Sequence, residues 1–112
     1  MPVLKLLSNE GFLNTDELLK KSSKLLAEIL SKPEKYVMVS FEENPEMIFG
    51  GSDDPFFYIE LKSIGLPRNR TKEISKRLCE FLTQETDIPA SRMYIKFSDA
   101  EGSMWGWNGS TF

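Results

Sequence analysis

The chain has 112 residues, of which 40% are hydrophobic, and its formal net charge is −3. This length predicts one globular domain, residues 1–112, with a buried core. The weakly acidic balance argues against a nucleic-acid partner, because no basic stripe is present. A membrane span is also excluded, because no apolar run approaches the roughly 20 residues that it requires.

The residue types that are missing limit the chemistry. There is no histidine and only one cysteine, Cys79. An internal disulfide, a Ser–His or Cys–His nucleophile pair and a histidine-based metal site are therefore excluded, and we predict neither a metal nor a cofactor. A general base must be a carboxylate, a lysine, a tyrosine or an amino-terminal amine.

The chain begins MPVLKLL, which predicts a short apolar strand at residues 3–7 behind Pro2. Proline cannot donate to a strand ladder, but it is tolerated at the first residue of a strand. Alternatively, removal of Met1 would leave Pro2 with a free secondary amine, a base held at the end of a strand. These residues alone leave both interpretations open. They lack the basic region and the long apolar region of a signal peptide, so we expect a cytoplasmic protein.

An amphipathic helix is predicted next, because apolar side chains recur at helical spacing from Leu18 to Leu30. Asn14 is the predicted N-cap, with Glu17 three residues later in the capping-box position. Lys32-Pro33 ends the helix, and residues 36–43 (YVMVSFEE) predict the second strand.

The second half of the chain repeats this order. Residues 56–64 (FFYIELKSI) predict a strand, and a helix follows with Asn69 or Thr71 as its cap. Residues 87–89 break the helix before the last predicted strand, residues 93–99.

Three connecting segments carry further signals. Gly50-Gly51 indicates a turn between the halves, without the lysine and hydroxyl residue of a phosphate loop. Residues 63–65 (Ser-Ile-Gly) either turn backbone N–H groups toward a ligand or simply end a strand. The tail, residues 103–112, holds two tryptophans and a terminal phenylalanine, and this aromatic surface predicts burial on a partner subunit or around a pocket.

A shift of 56 residues superimposes the two halves of the sequence. The identical pairs include Thr15/Thr71, Glu17/Glu73, Lys20/Lys76, Leu26/Leu82, Pro33/Pro89 and Phe41/Phe97. Two βαβ units, about residues 1–56 and 57–112, predict an α+β (α/β) fold with two helices on one face of a four-stranded mixed sheet. We interpret the strands as apolar at nearly every position, which predicts that another chain covers the open sheet face.

Several segments resemble one known family over essentially the whole chain. In order they are Met1-Pro2, Lys32-Pro33, Tyr36, residues 49–52 (FGGS), residues 63–65 (SIG), Arg92-x-Tyr94-Ile95 and residues 106–112 (GWNGSTF). Together they resemble the macrophage migration inhibitory factor and D-dopachrome tautomerase family of the tautomerase superfamily. The resemblance implies a homotrimer of doubled βαβ units whose sheets line a central barrel.

The resemblance also implies an activity, the keto–enol tautomerisation of aromatic α-keto acids such as phenylpyruvate. Pro2 would be the base once Met1 is removed, and Lys32 with the backbone N–H of Ile64 would bind the carboxylate and carbonyl of the substrate. The implied walls of the aromatic pocket are Tyr36, Tyr94, Trp105 and Phe112, with Tyr94 supplied by a neighbouring subunit.

Some positions depart from the family pattern. Phe56 and Ile59 stand where the cytokine member carries Cys-x-x-Cys, so thiol–disulfide chemistry is not expected, and we interpret Cys79 as a buried small hydrophobe. Lys96 stands where that member has asparagine, and it either strengthens the binding of anionic substrates or points to solvent.

The family also permits two functions without catalysis. One is a cytokine-like protein that binds a receptor and keeps only a vestigial pocket. The other is a trimeric scaffold, which a retained Met1 would favour.

Overall fold

The computed structural model describes residues 1–112 as a four-stranded sheet with two helices on one face. The elements are β1 (Val3–Ser8), α1 (Thr15–Leu30), β2 (Met38–Glu43), β3 (Phe57–Ile64), α2 (Thr71–Thr86), β4 (Met93–Ala100), β5 (Gly106–Trp107) and β6 (Ser110–Thr111). The sheet order is β2-β1-β3-β4, with β1/β2 and β3/β4 parallel and β1/β3 antiparallel. The predicted mixed sheet with two covering helices is therefore confirmed. Neither α-helix is long enough and apolar enough to cross a membrane.

Helix α1 forms where its apolar spacing predicts it, but the predicted capping box is wrong. Asn14 occupies the N-cap position without a capping bond from its side chain. Its carbonyl accepts the first helical hydrogen bond, from the N–H of Leu18 at 3.0 Å. The helix ends at Leu30 and is followed by Ser31, which is left-handed with φ 52°; the carbonyls of the last turn accept from the N–H groups of Ser31 and Lys32.

Helix α2 begins differently from its prediction. A single 3₁₀ turn, Arg68–Arg70, leads into Thr71, and no side chain caps the first helical turn. The Thr71 hydroxyl instead donates backward to the carbonyl of Arg68 at 3.2 Å. A backbone turn therefore starts this helix, which explains why neither Asn69 nor Thr71 is its cap.

Strands β1 and β3 alternate strictly between a buried and a more exposed face. Leu4 and Leu6 of β1, and Ile59 and Leu61 of β3, are buried beneath the helices. The remaining core side chains are Leu18, Leu26, Ile29, Leu30, Phe57, Leu66, Ile74, Leu78, Leu82, Ile88 and Met93. One continuous core therefore lies between the helices and one sheet face.

The opposite sheet face, here called the open face, carries charged residues across its middle. Lys5, Glu60 and Lys96 form one row across β1, β3 and β4, and Lys62 lies one step along β3. The interpretation that the strands are apolar at nearly every position is therefore wrong, since a period of two places charged residues on the open face. Because this face is not apolar, it does not support the expectation that another chain covers it.

Two further elements refine the prediction. A 3₁₀ turn, Glu34–Tyr36, precedes β2, so this strand begins at Met38 and not at Tyr36. The tail folds back as the small β5–β6 hairpin, in which Gly106 pairs with Thr111 and Trp107 pairs with Ser110.

Candidate functional site

The start of the chain lies at one end of the sheet. Pro2 is almost completely buried, and its carbonyl accepts a hydrogen bond from the N–H of Met38 at 3.0 Å. The antiparallel β1–β3 register pairs Val3 with Lys62. Continued toward the amino terminus, this register sets Pro2 opposite Ser63 and Met1 opposite Ile64, so Ile64 lies at the same end of the sheet as the amino terminus.

A cavity of about 260 Å³ opens beside this amino terminus. Eight of its ten lining residues are hydrophobic; the ten are Met1, Val3, Lys35, Tyr36, Val37, Met38, Trp105, Gly106, Trp107 and Phe112. Mostly apolar and aromatic walls of this kind are typical of a site for a small ligand.

Three rings of this cavity pack on one another, and we call Tyr36, Trp107 and Phe112 the aromatic cluster. The ring of Tyr36 meets the rings of Trp107 and Phe112 edge-on, with centroid distances of 5.4 and 5.5 Å. Trp107 and Phe112 are stacked at 5.4 Å. Edge-on and offset contacts at these distances are favourable, so the cluster forms a stable wall.

The tail hairpin brings the cluster together. Asn108 and Gly109 adopt left-handed conformations, with φ of 52° and 76°, and form its turn. Beyond the hairpin pairs, the N–H of Phe112 donates to the carbonyl of Trp105 at 3.2 Å. The last residue thereby returns to the first tryptophan of the tail.

The amino-terminal amine is electrostatically perturbed. It donates to the carbonyl of Tyr36 at 3.1 Å. Burial lowers the pKa of the Met1 amine below its ordinary value, and the positive charge of the half-buried Lys32 lowers this pKa further. An amine at this end of the sheet is therefore more readily deprotonated, as a general base requires.

Two of the expected site residues lie elsewhere in the chain. In the sheet register Tyr94 is level with Tyr58 and Leu7, at the far end of β1 from Pro2. Tyr94 is 63% exposed, and its ring packs on Phe49 with a centroid distance of 4.6 Å. Lys96 is exposed in the middle of the open face.

A single chain therefore assembles only part of the expected site. The amino terminus, Tyr36, Trp105 and Phe112 meet at the cavity, with the charge of Lys32 acting on the amine and Ile64 at the same sheet end. Tyr94 and Lys96 do not line the cavity within one chain.

Trp107 and Lys35 line the cavity but were not among the predicted site residues. Trp107 could have been found from the Asn108-Gly109 pair, which predicts a tight hairpin turn and so returns Phe112 toward both tryptophans. Lys35 has no comparable sequence signal, because its place depends on the 3₁₀ turn that precedes β2.

The single cysteine lacks the features of a redox-active thiol. Cys79 is a free, half-buried thiol on α2, and burial raises its pKa. A raised pKa disfavours the reactive thiolate. The positions of the missing Cys-x-x-Cys pair, Phe56 and Ile59, are both buried apolar side chains.

Comparison with known proteins agrees with this architecture. The sequence model of the family described as macrophage migration inhibitory factor (MIF) matches residues 1–112. The macrophage migration inhibitory factor of Xenopus tropicalis is 44% identical over 100 residues, which cover 87% of this chain and 85% of that protein. A macrophage migration inhibitory factor homolog of Trichuris trichiura is 40% identical over 114 residues and covers 100% of both chains.

Solved structures give the same result. The crystal structure of a macrophage migration inhibitory factor homologue from Prochlorococcus marinus superimposes with a TM-score of 0.91 at 43% identity, covering 98% of each chain. The doubled βαβ sheet with an aromatic cavity at the amino terminus is thus a fold of the tautomerase superfamily. The chain belongs to the macrophage migration inhibitory factor family.

Proposed function

We propose that this protein is a keto–enol tautomerase acting on aromatic α-keto acids such as phenylpyruvate, with the Pro2 amine as the base after Met1 is removed. The observation that carries the proposal is the aromatic cavity beside an amine whose pKa is lowered by burial and by Lys32. Membership of the family supports the same class of activity.

Removal of Met1 would make the amine a better base. The free amine would then be the nitrogen of Pro2, one residue farther into the sheet and almost completely buried, whereas Met1 is half-buried. Since desolvation disfavours the ammonium, we expect the Pro2 amine to have a lower pKa than the Met1 amine. More of it is then free base at neutral pH.

The proposed reaction is a single proton abstraction followed by reprotonation. The Pro2 nitrogen takes a proton from the carbon next to the keto group, and the electrons of that C–H bond form the C=C bond of the enol. The carbonyl π electrons move to oxygen, which takes a proton from water, and Pro2 returns its proton to water. Lys32 and the Ile64 N–H would stabilise the negative charge that develops on oxygen.

The proposed active protein is a homotrimer in which Tyr94 enters the cavity of a neighbouring subunit. Its exposure and its distance from Pro2 within one chain support this placement. Light scattering should give three times the chain mass. For Lys96 both interpretations stand, and Lys96→Asn separates them: a raised KM indicates a place at the cavity, and an unchanged KM and pH profile indicate solvent.

The test is phenylpyruvate tautomerisation by Met1-free protein, verified by intact mass, beside its Pro2→Gly variant. We expect the variant to lose at least about 10²-fold in kcat/KM, the usual contribution of a general base. Pro45→Gly, in an exposed loop, is the matched control and should keep its rate. Equal rates for Pro2→Gly and the unsubstituted protein, with the same oligomeric state, would contradict Pro2 as the base.

A second candidate function follows from the names of the relatives, which refer to macrophage migration. In that case the protein would bind a receptor with its surface, and catalysis would be dispensable. Binding of a host receptor ectodomain that Pro2→Gly leaves unchanged would favour this candidate. Absence of both activities, with Met1 retained, would favour a trimeric scaffold.

A further inference from the structure

We propose that Lys35 forms a second anion subsite of the cavity, so that the preferred ligands are aromatic acids carrying a second carboxylate on or near the ring. For catalysis the proposal rests on the proposed tautomerase function, in which Lys32 holds the first carboxylate. For binding it rests on the geometry of Lys35 alone.

The position of Lys35 follows from the 3₁₀ turn Glu34–Tyr36. This turn places Lys35 on the cavity wall together with Tyr36 and Trp107. The Lys35 ammonium lies 5.1 Å from the centroid of the Tyr36 ring, which itself contacts the other two rings of the aromatic cluster. A positive charge thus stands beside the part of the cavity that would hold an aromatic ring.

No carboxylate of the protein neutralises this charge. The six ion pairs of the structure involve Lys21, Lys62, Arg68, Arg70 and Arg77, and none involves Lys35. The adjacent Glu34 lines a different cavity, with Leu19 and Val39. Lys35 is exposed and in none of these ion pairs, so it is available to pair with a ligand anion.

Lys35 and Lys32 differ in what they face. The charge of Lys32 acts on the amino-terminal amine, whereas that of Lys35 lies over an aromatic ring. A ligand that sets one carboxylate near the amine and its ring in the aromatic cluster would bring a distal carboxylate toward Lys35. A ligand with one carboxylate would pair with Lys32 but not with Lys35.

The experiment compares two unreactive probes by calorimetry at low salt, 3-phenylpropanoate and 3-(4-carboxyphenyl)propanoate. We expect the dicarboxylate to bind about 2-fold to 5-fold more tightly, as one exposed ion pair allows, and this ratio to shrink at high salt. Lys35→Gln should bring the ratio to about one, while Lys35→Arg keeps it. Lys76→Gln, which removes an exposed and unpaired charge from α2, is the matched control.

Three results would overturn the proposal: no preference for the dicarboxylate, a preference that Lys35→Gln leaves intact, or equal weakening of both probes by Lys35→Gln. The last would mean that Lys35 acts only by packing on Tyr36. This test is independent of the proposed tautomerase function. If the dicarboxylate binds more tightly as expected but phenylpyruvate is not converted, only the tautomerase function is contradicted.

Discussion

The backbone carbonyl of Tyr36 accepts a hydrogen bond from the Met1 amine at 3.1 Å, while the Tyr36 ring packs on Trp107 and Phe112. One residue thereby joins the amino terminus to the aromatic cluster. Since the 3₁₀ turn that positions Tyr36 also holds Lys35, this short segment organises both the amine and the cation beside it.

The first prediction concerns the charge that acts on the amine. Lys32→Gln should raise the pKa of the Met1 amine, because the ammonium form no longer faces a positive charge. The pKa should stay below its ordinary value, because burial is the larger of the two causes. An NMR titration of protein that retains Met1 measures this pKa directly.

In Met1-free protein the same substitution should shift the rising limb of the pH–rate profile to higher pH, since the base is free only above its pKa. Lys20→Gln, on the exposed side of α1, serves as the control and should shift neither quantity. An amine pKa that is unchanged in Lys32→Gln would show that Lys32 does not act on the amine.

The second prediction concerns the packing of the tail. Gly102 lies so close to Phe112 that a Cβ at this position would collide with the backbone oxygen of Phe112. Gly102→Ala should displace Phe112, loosen the aromatic cluster and raise the KM for phenylpyruvate roughly fivefold, equivalent to about 1 kcal/mol of lost binding. Steady-state kinetics measure this change.

Gly51→Ala is a suitable control for the loss of a glycine. Gly51 has φ 77° and no atom within 4 Å of an added Cβ, so alanine costs roughly 1–2 kcal/mol of backbone strain without a collision. We expect it to lower stability and leave KM unchanged. If both variants changed KM alike, general destabilisation would explain the effect.

The helices and strands could be predicted from the sequence, whereas only some of the contacts between them could. The helices and the sheet follow from local periodicity, and the chain repeat predicts their order. The capping of both helices was missed, because Asn14 makes no side-chain capping bond in α1 and Arg70 occupies the N-cap position of α2. The charged open face was missed because Lys5 and Glu60 interrupt otherwise apolar strands, and the pairing of one with the other appears only in the register.

The candidate site was predicted through resemblance more than through physics. Pro2 could be named a candidate base from the missing histidine, but the association of Tyr36 with the tail depends on contacts across about 70 residues of sequence, which no local pattern specifies. The distant place of Tyr94 likewise needs the sheet register, because strand β4 runs beside β3 and not beside β1.

The third prediction concerns Arg92, which holds the loop between the two halves of the chain. Its guanidinium donates to the carbonyls of Phe49, Ser52 and Asp54 at 2.6, 3.2 and 2.7 Å. It also lies over the ring of Phe49 at 4.9 Å, and that ring in turn supports Tyr94. Arg92→Lys should destabilise the protein by about 1–3 kcal/mol, because an ammonium cannot reproduce the planar fork.

Urea unfolding measures this loss. Arg68→Lys is the control. The Arg68 side chain is 83% exposed and its one ion pair, with Asp99, has an N–O distance of 3.6 Å. Such exposed pairs contribute little to the free energy of unfolding. An Arg92→Lys variant as stable as Arg68→Lys would mean that the loop is held by other contacts, such as the Asn9 amide that donates to the carbonyl of Asp53 at 3.0 Å.

The fourth prediction concerns a polar group in the core. Ser22 on α1 is buried, with 1% of its surface exposed, and its hydroxyl has no hydrogen-bond partner. A buried hydroxyl without a partner is destabilising, and alanine is also the better helix former. Ser22→Ala should therefore raise the free energy of unfolding by about 1 kcal/mol, measured by urea denaturation.

Ser23→Ala separates the two contributions. Ser23 is the next residue of α1 and is half-buried, so its replacement changes helix propensity without relieving a fully buried hydroxyl. Ser23→Ala should raise the free energy of unfolding by about 0.5 kcal/mol or less. If Ser22→Ala gained no more than Ser23→Ala, the Ser22 hydroxyl would have to be satisfied in solution, for example by a water molecule between α1 and the sheet.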